Sequence, residues 1–296
     1  MNHSSYIIAG PTASGKSDFA HQLARCVNGV IINCDSVQIY SGIENISASP
    51  LAGLSPSADV AIDDVPYRLF SILPLTEQIS VIDYLEMATH EYNAARAVGR
   101  TPIFVGGTGY YINALLNGLS AVPSVSAINR ERARQMTQND LPAARALLPT
   151  DFTATDPQRV ARALEVFFET GQHLTYWQAM PRTGAINPAP CKILINPPRD
   201  VLAARIAQRI SLMLDGGALD EAREIIAAGV NQDRAIGASQ LCKFVHGEIT
   251  ADQCNQEWIT RTCQYAKRQQ TWFKTQFTAD LQISHVPTDA DIKACL

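Results

Sequence analysis

The stretch Gly10-Pro11-Thr12-Ala13-Ser14-Gly15-Lys16-Ser17 constrains this chain most, because it follows an apolar run, Tyr6-Ile7-Ile8-Ala9, and leads into a helical one. Strand, glycine-bearing loop and helix is the setting in which a P-loop, the nucleotide- and ATP-binding loop, does its work. Gly10 and Gly15 permit the tight turn. Backbone N–H groups and the helix N-terminus then face a phosphate, Lys16 adds a cation, and the Ser17 hydroxyl can hold Mg2+. The competing explanation is a chance match in a glycine-containing turn, and the flanking strand and helix argue against it.

Further runs of the same kind follow: a helix from about Ser17, then Val30-Ile31-Ile32-Asn33, and later Pro102-Ile103-Phe104-Val105. Continuous β-branched runs separated by helices indicate a buried parallel sheet. After Gly118 the texture changes to charged helix formers, such as Asn129-Arg130-Glu131-Arg132-Ala133-Arg134, and Asp156-Pro157 supplies an N-cap and a first-turn proline. Strand signals return only at Cys191-Lys192-Ile193-Leu194-Ile195, ahead of Pro197-Pro198 and an amphipathic helix from Arg199 to about Leu214. A long helix is predicted from about Ala251 to Phe277, and the Ser-, Ala- and Pro-rich stretch from Ile46 to Asp64 is expected to be loop. The expected architecture is α/β. A P-loop NTPase-like parallel sheet core covers residues 1–118 and 197–296 with a helical C-terminal region, and a helical insertion domain covers 119–196.

At 296 residues and 46% apolar composition the chain can bury a full core. A formal net charge of -4 argues against a surface that grips nucleic acid everywhere, although local basic stripes still can. No uninterrupted apolar run reaches the length of a membrane span, and Met1-Asn2-His3-Ser4-Ser5 has no signal-peptide character, so no membrane and a cytoplasmic location are expected. The seven cysteines are scattered and never form a CxxC pair, which suits reduced, structural thiols.

A P-loop alone suggests an ATPase or a kinase, which needs a strand to deliver a carboxylate to the metal. The strand at Pro102–Val105 runs instead into Gly106-Gly107-Thr108-Gly109-Tyr110, a turn that brings backbone and a hydroxyl close to a ligand, or that merely joins strand to helix. Asp35, in Asp35-Ser36-Val37-Gln38-Ile39-Tyr40, follows the second strand and so belongs to the same sheet edge as the P-loop. It can serve as a base, as a metal ligand or simply as a turn cap.

These residues together resemble the bacterial tRNA dimethylallyltransferases: GPTASGKS at 10–17, DSVQIY at 35–40, GGTGYY at 106–111, DPQRVARALEV at 156–166, RIAQRISLML at 205–214, AIG at 235–237 and AKRQQTWF at 266–273. The resemblance implies that residues Gly10, Pro11, Thr12, Ala13, Ser14, Gly15, Lys16 and Ser17 cradle the diphosphate of dimethylallyl diphosphate rather than ATP, with Ser17 on Mg2+. It further implies Asp35 as the base for the adenine N6 amine, Thr108 beside the reacting centre, and Arg205 with Arg209 on the diphosphate. The implied acceptor is the anticodon stem-loop of tRNA, contacted by Asp35, Ser36, Val37, Gln38, Thr108 and Arg130. Gln158, Arg159, Val160, Ala161 and Arg162 would join them, as would Lys267, Arg268, Trp272 and Lys274. Basic side chains among aromatics suit splayed bases and phosphates, and the target base must leave its stack. Taken alone, the C-terminal run also fits an amphipathic core helix. A monomer is implied as well.

The chain departs from that family in three places. Ser41 to Pro50 lacks the glycine and lysine of the Gly-Thr-Ala-Lys-Pro with which the family's segment ends, Ala238-Ser239 replaces an aromatic and a basic residue after Ala235-Ile236-Gly237, and Pro66-Tyr67-Arg68-Leu69 replaces a histidine-bearing segment. The rivals are an adenylate isopentenyltransferase acting on free nucleotide, an ATP-dependent small-molecule kinase, and an RNA-binding protein with a relic P-loop. Ser36, where the free-nucleotide enzymes carry lysine, and the helical insert favour tRNA.

Overall fold

A computed structural model describes residues 3–54 and 60–296. Strand β1 (Tyr6–Ala9) is buried along its whole length and passes through the P-loop into α1 (Lys16–Val27). There follow β2 (Gly29–Asn33), a short β3 (Val60–Ile62), β4 (Val65–Arg68), α2 (Val81–Ala97), β5 (Thr101–Gly106) and α3 (Gly109–Asn117). Strand β6 (Leu119–Ser120), helices α4 (Ala127–Asn139), α5 (Leu141–Ala146), α6 (Pro157–Thr170) and α7 (Leu174–Gln178), and β7 (Arg182–Thr183) come next. The chain then runs through β8 (Cys191–Ile195), α8 (Arg199–Asp215), α9 (Ala218–Ala228), α10 (Ala238–Val245), α11 (Ala251–Gln276), β9 (Leu281–Ile283) and α12 (Asp289–Lys293).

Among the described residues the main sheet has the order β3-β4-β2-β5-β1-β8-β9, and every pairing is parallel except β3 with β4. This is the P-loop NTPase-like α/β core expected from the alternating strands and helices. β1 sits between β5 and β8, so both of its neighbours are sheet strands and its helices cover its faces. That is why it reads as an unbroken apolar run instead of alternating. Ile8, Ile31, Ile103, Val105, Ile193 and Ile195 form one buried cluster with Phe19, Ala20 and Leu23 of α1.

Two expectations need correction. The stretch from Ile46 to Asp64 is not all loop: residues 60–62 form the edge strand β3, turned back at Asp63 and Asp64, whose φ values of 46° and 64° are ones a short polar side chain tolerates. Residues 55–59 of that stretch lie outside the described residues. Strand β8, assigned to the insertion at 119–196, is a strand of the main sheet paired with β1, because its three inner residues are apolar enough to bury there.

The chain forms two compact units, Met1–Leu116 with Ile186–Leu296, and Asn117–Ala185. The smaller has its own core of Ala133, Ala144, Leu148, Val160, Ala163 and Leu164, drawn from α4, α5, the turn after α5, and α6. Asp156 accepts from the Arg159 N–H at 2.9 Å, capping α6 with Pro157 in its first turn. At the start of α4, the Glu169 carboxylate accepts from the Ser126 N–H at 2.9 Å and its hydroxyl at 2.7 Å.

Candidate active site

Parallel strands deliver their C-terminal ends to one edge, and β1, β2 and β5 bring the P-loop, Asp35 and the Gly106-Gly107-Thr108 turn there together. The approach is close enough to require glycine. A Cβ on Gly10 would lie 2.3 Å from the Ile195 carbonyl oxygen, and one on Gly106 would lie 1.9 Å from that of Cys34. Gly15, with φ of 91°, caps α1 from the left-handed region, so the helix N-terminus opens directly under the loop.

Beside the loop lies a cavity of 330 Å³ whose walls include Ser14, Lys16, Ser17, Ala48, Arg205 and Arg209. The two arginines stand one turn apart on α8, on a shared face. Arg205 donates from Nε to the Ala13 carbonyl at 2.8 Å, and Arg209 donates to the Thr12 hydroxyl. Lys16 donates to the Pro11 carbonyl at 3.3 Å. Burial, and then the neighbouring Arg209, lower the Lys16 pKa to about 8 against the pull of Asp35; burial and Arg205 lower Arg209 to about 10. Gathering these cations without a protein counterion for each costs stability, and an anion in the cavity would offset that cost. Ser14 Oγ and Arg209 Nε are buried and make no hydrogen bond among the described residues, as expected of groups that meet a phosphate oxygen. The Ser17 hydroxyl offers an oxygen in the same cavity. One protein oxygen beside a phosphate fits Mg2+, which keeps most of its ligands as phosphate oxygens and waters.

Asp35 is held by its neighbours. Its N–H donates to Asn33 Oδ1 at 2.8 Å, and Asn33 Nδ2 donates to the Asp35 and Leu69 carbonyls at 3.0 Å each. Asp35 Oδ1 accepts from the Val37 N–H at 3.0 Å, while Oδ2 makes no hydrogen bond among the described residues. One carboxylate oxygen fixes the turn and the other is left for chemistry. Thr108 Oγ1 accepts from the Ser36 N–H at 2.9 Å and donates to the Ser36 hydroxyl at 3.2 Å, so the Thr108 turn and the Asp35 turn are one piece. The Tyr265 phenol on α11 is pushed well above its usual range by burial and by Asp35, and hydrogen bonds with Thr108 and Gln269 oppose that push.

The remaining site residues expected from the sequence are spread more widely. Gln38 turns its amide nitrogen onto the Ser47 and Ala48 carbonyls, at 3.1 and 3.0 Å, and so shapes the loop wall. Ser36 and Val37 are half-buried beside Asp35, and Ala161 is half-buried on α6. Lys267, Arg268 and Lys274 are exposed on α11, and Trp272 packs against Gly109, whose added Cβ would fall 2.4 Å from the indole. In the smaller unit Arg130, Gln158, Arg159 and Arg162 are exposed, with Arg162 paired to Glu165 at 2.9 Å. Val160 is a correction: at 0% exposure its side chain is core, because it falls on the apolar stripe of α6 with Ala163 and Leu164.

The contacts of three residues around this edge escaped the sequence reasoning. Asn33 was visible only as a polar residue closing an apolar strand. Gln269 stood out only within the acceptor-facing run Lys267 to Lys274, with no sign of its bonds to Thr12 and Gly107. Glu221, on α9, accepts from the Asn45 N–H, the Asn45 amide and the Ile46 N–H at 2.7, 2.9 and 2.8 Å. It holds the very loop in which the chain departs from its resemblance, and no local pattern announces so distant a partner.

Residues 38–276 match the family model described as IPP transferase, and residues 3–54 match that described as isopentenyl transferase. The tRNA dimethylallyltransferase of Gluconacetobacter diazotrophicus is 40% identical over 90% of this chain and 82% of its own length. That of Paramagnetospirillum magneticum is 37% identical over 94% of this chain and 90% of its own. Among solved structures, the full-length tRNA isopentenylpyrophosphate transferase of Bacillus halodurans superposes with a TM-score of 0.67 at 27% identity, covering 99% of this chain and 94% of the other. A eukaryotic dimethylallyltransferase acting on tRNA shares the fold, with a TM-score of 0.76 at 23% identity over 97% of this chain and 74% of the other.

Proposed function

This chain belongs to the IPP transferase family, and from that premise we propose that its sheet edge moves a dimethylallyl group from dimethylallyl diphosphate to N6 of the adenosine 3' of the anticodon in tRNA. It is a prenyltransferase that modifies tRNA. The observation that carries the assignment of roles is the meeting, on one edge, of a phosphate loop ringed by Lys16, Arg205 and Arg209 with a carboxylate that has one oxygen uncommitted.

The reaction couples two charge movements. The adenine N6 lone pair forms a bond to the allylic carbon as that carbon's bond to the diphosphate oxygen breaks. The electron pair leaves with diphosphate, where P-loop N–H groups, Lys16, Arg205 and Arg209 stabilise the growing negative charge. The N6 proton passes to Asp35 Oδ2, a general-base role. Thr108 keeps the Asp35 turn in register through Ser36. When bound, Mg2+ would be held by Ser17 and would neutralise part of the diphosphate charge.

On the acceptor side, the exposed cations of α11 and the partly covered Trp272 supply phosphate and base contacts, and Arg130, Gln158, Arg159 and Arg162 supply contacts from the 117–185 unit. The target base leaves its stack to reach Asp35. In this reading the protein acts as a monomer in the cytoplasm. Among the described residues no helix is long and apolar enough to cross a membrane.

The test incubates the protein with Mg2+, labelled dimethylallyl diphosphate and either unmodified tRNA or AMP. Label on tRNA is the expected result. Label on AMP alone would move the chain to the free-nucleotide enzymes, and label on neither would sink the assignment.

A further inference from the structure

Gln269 is the one side chain seen, among the described residues, to join the donor loop to the acceptor turn. It lies on α11 and is 6% exposed. Its Oε1 accepts from the Thr12 N–H at 2.8 Å, inside the P-loop. Its Nε2 donates to the Gly107 carbonyl at 3.0 Å, in the turn that carries Thr108. The two bonds fix the orientation of the amide, since Thr12 N–H can only donate and Gly107 C=O can only accept. The fit is tight: a Cβ on Gly107 would fall 2.2 Å from the Gln269 nitrogen. From Gly107 the path is short, because Thr108 bonds Ser36 next to Asp35.

We propose that Gln269 is a positioning residue that couples diphosphate binding in the P-loop to the placement of the Asp35–Thr108 edge that receives the adenine. This deepens the prenyl-transfer assignment and rests on it. Seating a diphosphate fixes the loop at Thr12; the amide passes that order to Gly107, and RNA bound at the Thr108 turn returns it. Coupling between two sites is reciprocal in binding free energy, so it can be read from either ligand.

Q269E and Q269M separate the two bonds. The glutamate carboxylate still accepts from Thr12 N–H but cannot donate to Gly107, and methionine fills the space while doing neither. Calorimetry on the full chain with Mg2+ measures inorganic diphosphate binding with and without an anticodon stem-loop RNA. The RNA is expected to tighten diphosphate binding severalfold in the parent protein. Q269M should bind diphosphate about tenfold more weakly than the parent, and Q269E more weakly too because its carboxylate adds negative charge beside the loop, with the RNA effect gone from both. A purely structural role would lower the binding stoichiometry through misfolded protein and leave the affinity of the remainder and its RNA response intact. That result, or a parent protein with no RNA effect, overturns the proposal. Neither readout needs turnover, so label transfer to tRNA tests the prenyl-transfer assignment separately.

Discussion

Asp35 and Lys16 carry opposite demands that each leave a measurable trace. Asp35→Asn keeps the turn through Oδ1 but cannot take the N6 proton, so kcat should fall by about 10²–10⁴-fold with donor KM little changed; a rise in KM alone would deny the base role. Lys16 titrates in the folded free protein at about 8, so donor affinity should fall as pH rises through that value, as calorimetry across a range from roughly pH 6.5 to 9.5 would show. The same depression sets a stability slope. Between about 8 and the ordinary lysine value of 10.5 the unfolded chain binds more protons than the folded one, so this group's contribution to stability rises with pH across that window. Lys16→Met should therefore abolish transfer yet raise the melting temperature at about pH 7. At this scale the P-loop, Asp35 and Thr108 were legible because each follows an apolar strand. Asn33, Gln269 and Glu221 were not, since their partners lie 36, 257 and 176 residues away in sequence and only the folded chain brings them together.

Among the elements, the loop after Tyr40 matters most to the site. It does not end in the family's Gly-Thr-Ala-Lys-Pro and so lacks that glycine and lysine, yet Ala48 and Pro50 line the cavity beside the P-loop, and Glu221 on α9 holds the loop by three hydrogen bonds. Burial raises the Glu221 pKa against those bonds. Glu221→Ala strands two loop N–H groups, so it should cost about 1–3 kcal/mol by denaturant unfolding and raise donor KM; an unchanged KM would mean the loop keeps its shape unaided. On α11, Trp272 closes over Gly109, and Gly109→Ala should displace the indole at a cost of about 1–3 kcal/mol, seen as a lower melting temperature and weaker tRNA binding. The start of α6 was legible in Asp156-Pro157, because capping is local chemistry. β3 was hidden because a three-residue edge strand carries too few residues to show a period, and it follows a Ser-, Ala- and Pro-rich stretch.

Across the whole molecule, alternating strands and helices pointed to the parallel sheet, and the change of texture after Gly118 marked the second unit at nearly the right start. Its end was misjudged by about one strand, because β8 follows a long helical stretch and its apolar run does not say which sheet it joins. A net charge of -4 is compatible with an RNA substrate, since cations are concentrated locally: Lys16, Arg205 and Arg209 around the cavity beside the P-loop, and Lys267, Arg268 and Lys274 exposed on α11. On the proposed reaction, one sheet edge breaks the bond between the allylic carbon and the diphosphate oxygen and makes the bond to N6 in a single event. The most direct test counts inorganic diphosphate released against prenyl groups found on tRNA in a single turnover with limiting donor. The two should appear together at one to one and at one rate. Diphosphate released without prenylated tRNA, or at a different rate, would contradict the account.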